Sequence, residues 1–356
     1  MVDLSVEIPT YNEAENIGKL IDELERLPID LEIIVIDDSS PDGTSQVVED
    51  LKDRYSNLKL VVRPSKKGLA SAILEGMQVA ESDNIAVMDG DMQHPPDLLE
   101  EMLTRIRNGN DLVIASRYTS GGNPGKLSLT RKLISKSATL MAHVMLRETK
   151  IVKDPLSGYF VFRKDVVNGA NISPTGYKIL LEVLMKGHAN KMEEIPYTFR
   201  PRFMGSSKLS IWEDLNYIHL ILKLAEYRTL KFVIVGVTGV IINVGILGLL
   251  HTLGISIPIA GAVSIESSIL SNFAVNNAWT FRNKKDGGLI SRLLKYNLVT
   301  LLGAVINYAA LNALVLLSVH YIFADLIGIA LGFLANYLGS ELFVWSPMGS
   351  KKKHEN

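Results

Sequence analysis

The chain has 356 residues, of which 47% are hydrophobic and 21% charged, with a formal net charge of -1 and no cysteine. The missing cysteines exclude a disulfide-stapled secreted scaffold, the length allows two or three domains, and the positive mean hydropathy is unusual for a purely soluble enzyme. The charge is unevenly spread: nearly all acidic residues precede Arg228, and the remainder of the chain is mostly Leu, Ile, Val, Ala and Gly.

The start, "MVDLSVEIPTYNE", has no basic stretch followed by a long apolar core, so no signal peptide is expected. Strand-like runs then recur in chain order: "LSVEIP", "EIIVID", "LKLVVR", "NIAVMD", "DLVIAS" and "YFVFR". Helical patterns such as "NEAENIGKLIDELERL" and "DGTSQVVEDLKDRY" separate them. This alternation predicts a mostly parallel sheet covered by helices on both faces, with ligands gathering beyond the carboxyl ends of the strands.

The polar clusters fall at those ends. After the first strand, Asn12 or Glu13 opens a helix whose free amides favour an anion. After the second, Asp37 and Asp38 are placed to receive the donors of a base or ribose, and after the third "RPSKKG" brings Lys66 and Lys67. Each alone reads equally well as a helix cap or turn. The missing glycine fingerprint after the first strand excludes a dinucleotide-binding dehydrogenase. The fourth strand runs into "MDGDMQHPP", where Asp89 and Asp91, with Gln93 as a neutral oxygen, form a hard donor set for magnesium or manganese shared with a diphosphate. His94 is expected to position the turn rather than to transfer a proton.

Two amphipathic stretches come next. "LTRKLISKSATLMAHVMLRE", about residues 129–147, sets Leu133, Leu140, Met141 and Val144 against Lys132, Lys136 and Arg147, the pattern of a helix in a membrane interface. "SIWEDLNYIHLILKLAEYR", about residues 209–228, repeats it with Trp212 as an anchor; core packing explains either stripe as well. Four apolar segments, about 230–250, 257–273, 293–317 and 322–344, each approach the roughly 20 residues that cross a bilayer. Arg282, Lys284, Lys285, Arg292 and Lys295 in the central loop, with Lys351, Lys352 and Lys353 in the tail, place the central loop, the tail and the N-terminal region on the cytosolic side. Glu266, near the middle of the second segment, is the intramembrane carboxylate that invites a functional reading, while Glu341 reads as a residue at the cytosolic end of its span and the asparagines as helix-joining groups.

"IPTYNEAENI", "VIDDSSPDGT", "KKGLASAILEGM", "MDGDMQHPP", "ASRYTSGG", "DPLSGYFVFRK" and "RFMGSSKLS" resemble the ordered motifs of glycosyltransferase family 2, and within it the dolichyl-phosphate mannose synthases. "KFVIVGVTGVIINVGILGLL" and "SNFAVNNAWTF" are similar to the four-span GtrA-like domain. The resemblance implies an α/β GT-A domain over about residues 1–208, followed by an all-α transmembrane domain over about residues 229–356. It puts Pro9, Tyr11, Glu13, Ile36 and Asp38 around the nucleotide, with Asp89, Asp91 and Gln93 on the metal and diphosphate. "DGD" stands where many relatives have "DAD", which leaves the metal reading intact.

A polyprenyl monophosphate is already a nucleophile, so the acceptor needs cationic positioning and no general base. Arg117, Arg131, and Arg202 with Lys208 are the candidates, and Ser135 lies one helical turn after Arg131. Asp91, Arg117 and Arg131 carry the catalytic assignment, Arg202 and Lys208 join the nucleotide-sugar set, and Arg117, Arg131 and Ser135 form the acceptor-phosphate set. "FRPRFMGSSKLS", with Gly205 and two serines, reads as a segment able to close over donor and acceptor.

The expected reaction is metal-dependent, inverting transfer of mannose from GDP-mannose to dolichyl phosphate in the bilayer, with no nucleic-acid partner. UDP-glucose or another nucleotide sugar as donor is the first alternative. A lipid-linked-sugar flippase carrying a nucleotide-sugar-binding module is the second. Small-residue faces such as Gly236 and Gly239 offer a contact for a homo-oligomer.

Overall fold

The computed structural model describes residues 2–65, 68–125, 129–172, 178–204, 211–285 and 287–346. They form two compact units, Met1–Leu224 and Ala225–Asn356.

In the first unit, strands β1 (Leu4–Thr10), β2 (Leu31–Asp37), β3 (Leu58–Val62), β4 (Asn84–Val87), β5 (Leu112–Ser116), β6 (Phe160–Arg163) and β7 (Met192–Pro196) form one sheet in the order β3-β2-β1-β4-β6-β5-β7. The pairings from β3 through β4 are parallel, β5 pairs parallel with β7, and β6 runs antiparallel between β4 and β5. Helices α1 (Ala14–Leu24), α2 (Thr44–Lys52), α3 (Leu69–Val79), α4 (Leu98–Arg107), α5 (Leu129–Met145), α6 (Ile179–Lys186) and α7 (Ile211–Leu224) connect or follow the strands.

Alternation along β1 explains the two cores. Leu4, Val6 and Ile8 face one side and pack with Ile17, Leu20, Ile21 and Leu24 of α1, which recur at helical spacing. Ile85 and Val87 of β4 face the other side, with Ile73 of α3 and Leu180 of α6. Burying each such side chain stabilises the unit by about 2 kcal/mol.

Ser5 and Glu7 of β1 interrupt the second face. Ser5 Oγ donates to Glu32 Oε2 at 2.6 Å, and Lys59 pairs with the same carboxylate. Glu7 is fully buried, and neither of its carboxyl oxygens has a hydrogen-bond partner among the described residues. A Cβ at Gly76 of α3 would fall 2.8 Å from Glu7 Cδ, so the glycine makes room for the carboxyl. Burial drives the Glu7 pKa well above the carboxylate range, against the pull of Lys164.

The second unit is two helical hairpins. Helix α8 (Arg228–Thr252) turns into α9 (Ile257–Val275), which continues through a π-helical turn at Asn276–Thr280. Helix α10 (Leu289–Leu316) turns into α11 (Tyr321–Gly339), which ends in the same way at Ser340–Val344. All four are long and apolar enough to cross a membrane, and the second reaches Thr280 because Asn276, polar in sequence, is buried inside the bundle.

The hairpins correspond at a constant spacing of 64 residues (303 − 239), without a gap. Asn272 meets Gly239 in the first, and Asn336 meets Gly303 in the second. The ring pairs Phe232–Tyr337 and Tyr296–Phe273, at 5.6 and 5.7 Å, exchange under that shift. Phe281 and Trp345 are each other's equivalents and stack at 4.2 Å, which puts an approximate two-fold axis between them. The correspondence breaks at Glu341, which pairs with Arg228 at 3.2 Å and with Lys284; its counterpart Asn277 accepts from Trp345 Nε1 at 3.3 Å. Gly239 is therefore used inside its own hairpin, whereas Gly236 opens to free space and Glu266 is exposed on the outside of α9.

Candidate functional site

The sheet brings the predicted residues to one edge. β1 leads to Tyr11 and Glu13, β2 to Asp38, β4 to Asp89, β5 to Arg117 and β7 to the segment 197–204; because β6 is reversed, Asp154 at its entrance arrives at the same edge. Three of these loops hold a non-glycine residue in the left-handed region, Asn12 (φ 57°), Ser39 (φ 52°) and Met92 (φ 66°), a strained conformation that the surrounding bonds must hold.

On the nucleotide side, Pro9 and Ile36 are register partners in β1 and β2. Asp37 ties the two loops: it accepts from Thr10 Oγ1 at 2.9 Å, Ser40 N at 2.9 Å and Ser45 Oγ at 2.6 Å. Asp42 accepts from Ala14 N and Thr44 N at 3.0 Å each, so one carboxylate serves the starts of α1 and α2. Asp38 is held by Arg63, a fully buried guanidinium at the end of β3 that also donates to Ser71 Oγ at 2.6 Å and Gly68 O at 3.0 Å. The role of Arg63 is not legible in sequence, although the residue ends the strand-like run "LKLVVR". Lys66 and Lys67 lie outside the described residues.

The aspartate pair sits at the centre. The Asp89 side chain is 39% exposed, and a Cβ at Gly158 would come within 3.3 Å of its Oδ2, so Gly158 leaves the carboxylate its room. Asp91 is buried, and that burial together with the charge of Asp89 pushes its pKa up to about 6. Gln93 donates its backbone N–H to Asp91 Oδ1 at 3.1 Å and its side-chain amide to Arg200 O at 3.1 Å. His94 is buried and stacked on Tyr159, ring centroids 4.9 Å apart, and burial lowers its pKa to about 4. Its Nδ1 accepts from Asp89 N at 3.0 Å, which puts the remaining proton on Nε2, 3.7 Å from Asp89 Oδ2. The ring thus braces the turn as a neutral group.

Segment 197–204 crosses this turn as a strap. Arg200 N donates to Gln93 O at 3.0 Å, Met204 N to Asn16 Oδ1 at 3.1 Å, and Lys19 lies 3.7 Å from the Phe203 ring centroid. Arg202 reaches inward, donating to Asp91 Oδ2 at 2.7 Å and Glu13 Oε1 at 3.0 Å. Lys208 and Gly205 lie outside the described residues.

Arg117 follows the end of β5 at the same edge. Its Nε and Nη2 donate to Asp154 Oδ2 and Oδ1, both at 2.8 Å, and its backbone N–H donates to Oδ2 at 3.0 Å. Tyr118 Oη lies 2.8 Å from Ser135 Oγ on α5, bringing Ser135 to the Arg117 loop. Arg131 is exposed one turn earlier on the same helix. Asp154 and Tyr118 both stand inside family motifs, "DPLSGYFVFRK" and "ASRYTSGG", but spacing alone gives neither a role.

Residues 5–169 match the model of glycosyl transferase family 2, and residues 231–345 match that of the GtrA/DPMS transmembrane domain. The chain is thus a GT-A glycosyltransferase joined to a multi-pass membrane domain. It is 41% identical over 350 residues to a dolichol-phosphate mannosyltransferase of Pyrococcus furiosus, covering 96% of this chain and 99% of that one. To the protein of that description in Saccharomyces cerevisiae it is 31% identical over 245 residues, covering 65% and 89%. The chain belongs to the dolichol-phosphate mannosyltransferase family. Among solved structures, mannosyl-3-phosphoglycerate synthase from Rubrobacter xylanophilus aligns at 21% identity with a TM-score of 0.48, over 63% of this chain and 73% of that one. Mannosyltransferase PcManGT from Pyrobaculum calidifontis, in complex with GDP-Man and Mn2+, aligns at 16% and 0.42, over 78% and 87%.

Proposed function

We propose that the protein transfers mannose from GDP-mannose to dolichyl phosphate with inversion, giving dolichyl β-D-mannosyl phosphate and GDP. The observation that carries this reading is the meeting, at one sheet edge, of the carboxylates Asp89 and Asp91 with the cationic Arg117 loop and Ser135. Membership of the family names the mannosyl group and the lipid acceptor as the first to test.

In the step, an oxygen of the lipid phosphate attacks the anomeric carbon as the bond from that carbon to the diphosphate breaks. The acceptor is already ionised, so no side chain has to take a proton. Arg117, Arg131 and Ser135 hold the acceptor phosphate, and Arg202 with Lys208 meets the diphosphate, as arginine suits phosphate oxygens. Pro9, Tyr11, Glu13, Ile36 and Asp38 surround the nucleotide.

The donor set fits a hard divalent cation: an open carboxylate at Asp89, a second at Asp91 and the amide of Gln93, with Gly158 clearing the space. Mg2+ or Mn2+ held there supplies charge neutralisation on the departing diphosphate. Leu133, Ile134 and Leu140 of α5 are 57–68% exposed, and Leu215 and Ile218 of α7 are also exposed, which supports both helices lying at the lipid surface that delivers the acceptor.

Detergent-purified protein, offered GDP-mannose or UDP-glucose with dolichyl phosphate, is expected to transfer only mannose and only with Mn2+ or Mg2+. Transfer from UDP-glucose alone keeps the mechanism and overturns the donor. No transfer from either, with lipid-linked sugar still moved across vesicles by an Asp91→Ala variant, favours the flippase.

A further inference from the structure

Asp154 is a buried charge bonded to Arg117, and it takes no direct part in the transfer step. Its side chain is fully buried and both oxygens are spent on Arg117: Oδ1 on Nη2, and Oδ2 on Nε and on the backbone N–H. The two parallel side-chain bonds fix the plane of the guanidinium and remove its Nε/Nη2 edge from any ligand. Among the described residues no hydrogen bond engages Nη1, which leaves that side for a ligand. The rings of Tyr118 and Phe199, with centroids 5.3 and 5.8 Å from Arg117 Cζ, flank the group and limit its tilt.

Asp154 is itself fixed. Glu194 of β7 accepts from Asp154 N at 2.9 Å and from Lys153 N at 2.8 Å. The neighbouring Tyr118 carries the constraint outward, because its hydroxyl lies 2.8 Å from Ser135 Oγ on α5. One connected set of bonds thus runs from β7 through Asp154 to Arg117, and from the adjacent residue to the helix that bears Ser135 and Arg131. A phosphate monoester meeting Arg117 and Ser135 together needs those groups at a fixed separation, and a shift of about 1 Å in such a site costs on the order of a hundredfold in rate.

We propose that Asp154 and Tyr118 are positioning residues for the acceptor phosphate: Asp154 locks Arg117 so that its Nη1 side alone faces the lipid phosphate, and Tyr118 sets the distance from there to Ser135. This rests on the reading of Arg117 and Ser135 as acceptor-phosphate residues. It assigns to the Asp154 carboxylate a role in KM for the lipid and none in donor binding.

The test is steady-state kinetics of the full chain in detergent, with dolichyl phosphate and GDP-mannose varied separately. Asp154→Asn is expected to raise KM for dolichyl phosphate about tenfold and Tyr118→Phe about threefold, with KM for GDP-mannose changed less than about twofold in either. Asp154→Asn added to Arg117→Ala is expected to cost nothing further, because both act through one group. A fall in kcat or in melting temperature for Asp154→Asn and Tyr118→Phe with unchanged lipid KM would overturn the proposal and leave a structural role. Full additivity with Arg117→Ala would overturn it as well. If Arg117→Ala itself leaves the lipid KM unchanged, the acceptor assignment fails and the proposal falls with it, an outcome distinct from sensitivity to Arg117 alone.

Discussion

Glu7 shows how a single side chain can limit the stability of the catalytic unit. In the unfolded chain its carboxyl titrates near the usual value of 4.5, whereas in the folded unit burial keeps the proton on to much higher pH. The folded state therefore binds more protons above about pH 4.5, and stability falls as pH rises from there. Glu7→Gln keeps the shape and cannot ionise, so we expect its melting temperature at pH 7 to exceed that of the natural protein by a few degrees, the gain vanishing near pH 4. Scanning calorimetry at the two pH values checks this; an equal gain at both would mean that ionisation is not the cause. Residues of this kind also mark the limit of reading from sequence. Asp89, Asp91 and Gln93 announce themselves through spacing, but Arg63 and Asp154 act by holding another charge, and their partners lie 25 and 37 positions away. Only the folded sheet brings those positions together.

Among the elements, six strands are legible because their apolar runs are short and bounded by turn residues. β7, "MEEIP", is not: Glu193 meets Arg105 and Asn110, while Glu194 meets the backbone of Lys153 and Asp154, so an edge strand with polar work has no apolar run to read. The reversal of β6 is equally hidden, since strand direction depends on pairing and not on composition. The strap beyond β7 makes a sharper prediction. Arg202 shares Asp91 with any cation bound there, so Arg202→Gln should leave Mn2+ alone bound at least as tightly as before while weakening GDP-mannose with Mn2+ about tenfold. Isothermal titration with each ligand separates the two effects; weaker binding of Mn2+ alone would show that the strap supports the metal rather than competing with it.

At the scale of the whole molecule, acidic residues are frequent before Arg228 and few after it, because apolar helices long enough to cross a bilayer leave little place for acidic side chains. The equivalence of the two hairpins escapes the same reading. All four helices are apolar, and the signal lies in a few small or polar pairs, Asn243 with Asn307 and Asn272 with Asn336 among them. The basic loop between the hairpins predicts a cytosolic face for it, and the chain has no cysteine of its own to confuse labelling. In cytosol-out vesicles, Gly288→Cys should react with a membrane-impermeant maleimide and Ser256→Cys should not; the reverse pattern would invert the assigned topology.

The correspondence between the hairpins has a consequence of parity. A unit that enters and leaves a membrane on one side can be copied in tandem any number of times without moving either end to the opposite side. Doubling the hairpin therefore adds apolar helix and aromatic contacts without changing the side on which the chain leaves the membrane. The copies are not identical: Glu341 stands against Asn277 and Glu266 against Ala330, so each carboxylate belongs to one copy while the glycine–asparagine packing is common to both.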